Sequence, residues 1–171
     1  MSSRINSRRF ALPTLLLVLG AVSLSAGDVR FGVQAALAFP MGDLSDGANL
    51  GLQGGGHAVL DLGQGHGLMG RVDLTLYSKK NDTNVTALGI AADYTYHFNQ
   101  NQTGPYALAG LCHTNFNPSA VHNPASDNGF GIDLGVGYDV DRNLGYQARI
   151  TSNSVDHGTM TSLNLGITYR F

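Results

Sequence analysis

From residue 28 onward the apolar side chains of this sequence recur at every second position. Val29, Phe31, Val33, Ala35, Leu37 and Phe39 share one side of an extended chain; Arg30, Gly32, Gln34, Ala36 and Ala38 share the other. Leu50 to Leu62 repeats the pattern, with leucines, glycines and Ala58 at even positions against Gln53, His57, Val59 and Asp61. Leu68 to Leu76 alternates with Met69, Arg71, Asp73 and Thr75. Leu88, Ile90, Ala92, Tyr94, Tyr96 and Phe98 alternate with Gly89, Ala91, Asp93, Thr95 and His97. Phe130 to Val140 alternates with Gly131, Asp133, Gly135, Gly137 and Asp139. Leu144 to Ile150 sets Tyr146 and Ala148 against Gln147 and Arg149. Leu163, Leu165, Ile167, Tyr169 and Phe171 close the chain, opposed by Asn164, Gly166, Thr168 and Arg170. A period of two, not 3.6, predicts strands with one apolar and one polar face.

An eighth strand, near Pro105 to Phe116, is apolar on both faces. Its outward set is either Tyr106, Leu108, Gly110 and Cys112, or Ala107, Ala109, Leu111 and His113. The first is preferred, because it places Tyr106 with other tyrosines. Between the strands lie stretches rich in Gly, Asn, Asp and Pro, which turn chains. Four of them, near 40–48, 78–84, 117–127 and 153–159, alternate along the chain with three others near 63–67, 99–104 and 141–143.

The first 27 residues read differently. Arg4, Arg8 and Arg9 precede an apolar run from Phe10 to Leu24, and Ser23, Ser25, Ala26 and Gly27 follow it. A basic start, a short apolar middle and a small-residue end predict a secretory signal peptide over 1–27, with one domain over 28–171. That domain holds seven Lys and Arg against twelve Asp, a net charge of −5, and no Glu. This balance excludes a basic nucleic-acid binder. One cysteine leaves no internal disulfide and no Cys-based zinc site.

Alternation alone does not say which face is outside. A soluble carrier barrel would turn its apolar residues inward, a membrane barrel outward. The polar face here is small: Gly, Ala, Thr, Gln and Asp with a few Arg, and neither Lys nor Glu, unlike a solvent-covered surface. The aromatic residues also sort by strand end. With the start of residues 28–171 in the periplasm, Phe31, Tyr94, Tyr96, Phe98, Tyr106, Tyr138, Tyr146, Tyr169 and Phe171 gather at that end, as an interfacial girdle does. In hydrocarbon every backbone group must be satisfied, so the sheet must close. The expectation is an all-β, closed, eight-stranded, antiparallel up-and-down transmembrane β-barrel, monomeric, in the bacterial outer membrane.

Phe-Pro-Met-Gly-Asp-Leu at 39–44, Gly-Phe-Gly-Ile-Asp-Leu-Gly-Val-Gly-Tyr at 129–138, Asp-Arg-Asn-Leu-Gly at 141–145 and the terminal Tyr-Arg-Phe resemble small bacterial outer-membrane β-barrel proteins of the broad OmpA/OmpX-like group. The resemblance implies outer-membrane assembly, with Tyr169 and Phe171 in the C-terminal signal read by the barrel-assembly machinery. It implies no single activity, since such folds host structural, adhesive and enzymatic proteins.

A narrow barrel is nearly filled by its side chains, so buried charges need partners. The expected lumen network is Arg30, His57, Asp61, Arg71, Asp73, Asp93, Asp133 and Arg149. A hairpin centred near Gly65 sets His57 opposite Asp73, with Arg71 diagonal to His57 and Asp61. A hairpin around 141–143 sets Arg149 diagonal to Asp133. Glycines at 129–135 lie mid-strand rather than in a nucleotide loop. Asp139, Asp141 and Asn143 form a turn rather than a calcium loop. Ser154, Asp156 and His157 bring nucleophile, acid and base types together without the geometry catalysis needs. His113, His122 and His157 lack metal-site spacing. No catalytic, cofactor or metal residue is therefore assigned. The expected partners are outer-membrane lipid and lipopolysaccharide, with Lys79 and Lys80 as candidate phosphate contacts. The expected role is structural or surface-interacting, ahead of a narrow pore, a lipid-modifying enzyme and a soluble carrier.

Overall fold

The computed structural model describes residues 28–80, 83–119, 126–156 and 158–171. The expected signal peptide, Asp82, His122 and His157 lie outside them. Eight strands follow in chain order: β1 (Val29–Gly42), β2 (Gly51–Gly63), β3 (His66–Lys80), β4 (Thr83–His97), β5 (Gly104–Ser119), β6 (Asp127–Asp139), β7 (Leu144–Val155) and β8 (Gly158–Arg170). One short helix, α1 (Leu44–Gly47), joins β1 to β2.

Each strand pairs antiparallel with the next, and β1 pairs antiparallel with β8 from Gly32↔Arg170 to Gly42↔Met160. The barrel is therefore closed and has no open edge to satisfy in hydrocarbon. The strands run from 12 to 16 residues, longer than the ~9–11 that cross a bilayer at a tilt. They project beyond the membrane. The two longest connections, between β1 and β2 and between β5 and β6, lie at the end away from the termini.

The apolar face is outside. Leu52 is 66% exposed, Leu111 68% and Phe130 75%, whereas Asp133 and Arg149 are 0% and 1% exposed. Such a surface is untenable in water and suits acyl chains, which is the reverse of a soluble carrier. Phe31, Tyr94, Phe98, Tyr138, Tyr146, Tyr169 and Phe171 are exposed at the end carrying the termini, and Tyr96 is partly so.

Strand β5 corrects the expected facing. Tyr106, Leu108 and Cys112 point into the lumen and are nearly inaccessible, while Pro105, Ala109 and Leu111 point out. Tyr106 therefore does not belong to the girdle. Its ring occupies the space a side chain on Gly137 would fill, in direct register on β6. Its hydroxyl accepts a hydrogen bond from Gln147 Nε2 at 3.1 Å. A large ring in a narrow lumen needs such a gap, and glycine supplies it.

The β2–β3 hairpin is the second correction. Gln64 and Gly65 both take positive φ (53° and 84°), as a two-residue hairpin turn of this hand requires. An irregularity between Asp61 and Gly63 absorbs one extra residue. The register is then His57↔Arg71 and Gly55↔Asp73, so His57 does not face Asp73.

Candidate functional site: the filled lumen

Three layers fill the barrel axis. At the loop end, Leu44 of α1 and Ala48 pack with Ala38, Tyr77, Val85, Ala87 and Phe116, and Val155 and Met160 lean on them. This apolar plug was not legible as a lumen feature, because α1 spans four residues and carries no periodicity. Asp43, just before α1, ties the plug to the neighbouring strand β8 by accepting the backbone N–H of Thr159 at 2.8 Å.

Beneath the plug lies the charged layer. Arg71 on β3 donates through Nε to Asp93 on β4 at 2.7 Å, and through its two Nη atoms to Asp73 and to Asp133 on β6. Arg149 on β7 donates to Asp73 at 3.2 Å, to Gln53 at 3.0 Å and to Gln147 at 2.9 Å, with Asp133 at 3.8 Å from its Nε. Thr151 and Gln34 add hydroxyl and amide donors to Asp133 and Asp73. Two of the acids have room because their strand neighbour is glycine. Gly55 lies beside Asp73 and Gly110 beside Asp93, each where a Cβ would strike the carboxylate. Two guanidinium groups and three carboxylates thus tie together β3, β4, β6 and β7, with amides from β1 and β2. A water-sized gap of about 30 Å³ remains between this layer and the plug.

A third layer sits toward the terminal end. Asp139 accepts two hydrogen bonds from Arg170 Nη2, at 2.6 and 2.7 Å, and faces His97 Nε2 at 2.7 Å. The His97 ring packs against Tyr106 at 4.8 Å between centroids, tilted by 36°. Val59, Met69, Tyr106 and Leu108 form an apolar cluster beside it. Arg170, Asp139 and His97 were not among the expected network residues. Their parity on the polar faces is the signal that marks them.

Five of the eight expected network residues meet: Arg71, Asp73, Asp93, Asp133 and Arg149. The other three do not join them. His57 is buried with its ring over Gly32, and neither ring nitrogen has a hydrogen-bond partner among the described residues. Arg30 reaches the backbone carbonyl of Arg142 at the terminal end. Asp61 accepts the Gly63 N–H at 2.7 Å and a Gln102 amide N–H at 3.0 Å, because it stands at the rim where the hairpin turns.

Asp141 accepts the backbone N–H groups of Asn143 and Leu144, at 2.7 and 2.8 Å, closing the β6–β7 turn. The bonds from Leu144 and then Asn143 hold its carboxyl below the usual aspartate range. Ser154 and Asp156 stand at the β7–β8 connection, and Ser154 faces outward. The His113 ring packs on Phe130 at 4.8 Å. Cys112 Sγ lies 3.4 Å from Asn153 Oδ1, buried. Lys79 is exposed at the loop end.

Residues 14–171 match the family described as outer membrane protein beta-barrel domain. No match is found among curated protein sequences. Among solved structures, the chain is similar to Ail, the attachment invasion locus protein of Yersinia pestis, at 16% identity and TM-score 0.59, covering 86% of this chain and 100% of that one. It is similar to Neisserial surface protein A at 21% identity and TM-score 0.57, covering 86% and 100%. The N-terminal β-barrel domain of Pseudomonas aeruginosa OprF follows at 19% identity and TM-score 0.56, covering 85% and 100%. At these identities the likeness is one of fold.

Proposed function

This chain belongs to the outer membrane protein β-barrel domain family, and we propose that it is a non-conducting barrel with a structural or surface-interacting role. Its place is the bacterial outer membrane. The observation that carries the reading is the filled axis: an apolar plug, an ion-paired layer and the Tyr106–Asp139–Arg170 layer lie one below another. A solute path would have to break buried charge pairs, and stranding one such charge costs about 3–5 kcal/mol. What remains available for function is the outer surface.

The loop end favours contact with lipopolysaccharide or a neighbouring cell over enzymology. Its connections and strand ends carry Asp43, Asp46, Asp82, Asp127 and Asp156 against Lys79 and Lys80. An acidic, amide-rich rim suits cation-bridged lipopolysaccharide phosphates or a basic partner, with the two lysines as direct phosphate contacts. Attachment appears in the name of one structural neighbour, and a surface-contact role here is its counterpart. Outer-membrane lipid covers the strands, and the barrel-assembly machinery reads Tyr169 and Phe171 during biogenesis. The barrel acts as a monomer.

The test pairs conductance with envelope assays. Protein whose folded state is confirmed by its shift between unboiled and boiled gel samples is inserted into planar bilayers. Silence over many insertions, with detergent sensitivity on deleting the gene, is the expected result. Steady unitary currents favour the pore instead, and altered lipid A or phospholipid after overexpression favours the enzyme.

A further inference from the structure

The terminal end of the barrel opens into a cavity of about 380 Å³ that none of the roles above uses. Its size falls within the ~300–1,000 Å³ typical of small-molecule sites. Arg30, Arg142 and Arg170 line it together with Asp28 and Asp61; backbone hydrogen bonds join Asp61 to Asp28 and join Arg170 to Asn143, the neighbour of Arg142. The lining therefore carries both signs of charge. Arg170 spends its Nη2 on Asp139, but its buried Nε has no hydrogen-bond partner among the described residues. Arg142 makes no ion pair among the described residues. Among the described residues, the exposed Arg142 guanidinium and one N–H of Arg170 are thus unspent at this mouth.

The turns point the same way. The described residues other than glycine with positive φ are Gln64, Gln100 and Gln102, at 53°, 57° and 59°, and all three line this cavity. Glycine or asparagine takes that conformation at less cost than glutamine. Strained residues that converge on one site are a motive to look for function there. Gln64 and Gln100 each carry a long side-chain amide, a donor and an acceptor together, while Gln102 donates its amide N–H groups to Asp61 and to the His66 carbonyl and keeps its oxygen as an acceptor.

We propose that this periplasmic mouth binds a short zwitterionic peptide by both of its free ends, the C-terminal carboxylate on Arg142 and Arg170 and the N-terminal ammonium on Asp28 and Asp61. Guanidinium groups bind carboxylates strongly and directionally. The Gln64 and Gln100 amides and the Gln102 amide oxygen hydrogen-bond the peptide groups between the two charged ends. Val59 at the floor packs against a small apolar side chain. Free periplasmic peptides and the peptide stems of cell-wall fragments both present this chemistry. The inference does not rest on the surface-contact reading, which concerns the opposite end of the barrel.

The test is a titration of the isotope-labelled barrel in lipid nanodiscs with tri-alanine, followed by NMR of the glutamine side-chain amides. Tri-alanine is expected to shift Gln64, Gln100 and Gln102 and to leave amides at the loop end unmoved. Arg142→Gln, on an exposed turn, is expected to keep the folded gel mobility and weaken binding about tenfold, the loss of roughly one charge-assisted contact. A soluble cell-wall stem peptide that binds more tightly than tri-alanine identifies that source, and equal binding identifies free peptide. No shift at about 10 mM peptide, equal binding of the C-terminally amidated peptide, or equal binding of inorganic phosphate overturns the proposal.

Discussion

The Tyr106 ring lies across Gly137, its direct partner on β6, in the volume a side chain there would occupy. The same arrangement recurs through the lumen: His57 over Gly32, Asp73 beside Gly55, Asp93 beside Gly110 and Asp139 beside Gly145. Large and charged groups are accommodated by glycine on the neighbouring strand. The barrel is filled through register as much as through composition.

That pairing predicts non-additive mutations. Gly137→Val forces the Tyr106 ring aside and is expected to cost about 1–3 kcal/mol, as overpacking does. Adding Tyr106→Ala removes the obstacle, so the double variant is expected to be more stable than the two losses summed. Urea unfolding in lipid vesicles measures each value. Simple additivity contradicts the contact.

Arg71 and Asp93 are expected to be unequal in their effects. Arg71→Leu leaves Asp73, Asp93 and Asp133 without their shared donor and is expected to cost about 3–5 kcal/mol. Asp93→Asn leaves both guanidinium groups paired with two carboxylates, and about 1 kcal/mol is expected, near the value of one ordinary hydrogen bond. The same unfolding assay separates them, and a larger loss from Asp93→Asn contradicts the layer described.

Leu165 and Asn164 are sequence neighbours on opposite faces. Leu165→Arg places a guanidinium among acyl chains and is expected to cost about 2–4 kcal/mol near the bilayer midplane. Asn164→Ala removes amide donors to Thr151 and Ser162 and is expected to cost about 1 kcal/mol. Equal tolerance contradicts the facing.

Asp141 gives a pH signature. Its carboxyl is held below the ordinary range by the Leu144 and Asn143 N–H groups. A depressed folded pKa contributes stability above the unfolded pKa, near 3.9, and that contribution is lost as pH falls through the lower folded value. Asp141→Ala is expected to remove this acid-side dependence of the β6–β7 turn. NMR titration of the Asp141 side chain checks it, and a midpoint at or above the ordinary value contradicts it.

The closed barrel and the outward apolar face were legible because a period of two persists through seven strands. Strand β5 was not, because Tyr106, Leu108 and Cys112 are as apolar as Ala107, Ala109 and Leu111. Its facing is settled by Gly137, but the two strands meet across an outer connection whose length does not set register. The β2–β3 register was missed because the extra residue between Asp61 and Gly63 leaves no compositional mark. Arg71, Asp73, Asp93, Asp133 and Arg149 were legible from parity and from the need to pair buried charge. Arg30 and Asp61 share that parity but stand at the rim, where depth along the axis rather than facing decides what a residue meets.

The orientation of the barrel wall decides which side chains meet lipid, and the absence of tryptophan from the chain makes a direct measurement possible. Single-tryptophan variants Leu111→Trp, Leu165→Trp and Phe116→Trp, folded into vesicles with and without brominated acyl chains, report contact with the hydrocarbon. Strong quenching of the first two and little of the third is the predicted result. Quenching of Phe116→Trp with Leu111→Trp and Leu165→Trp unaffected contradicts the account.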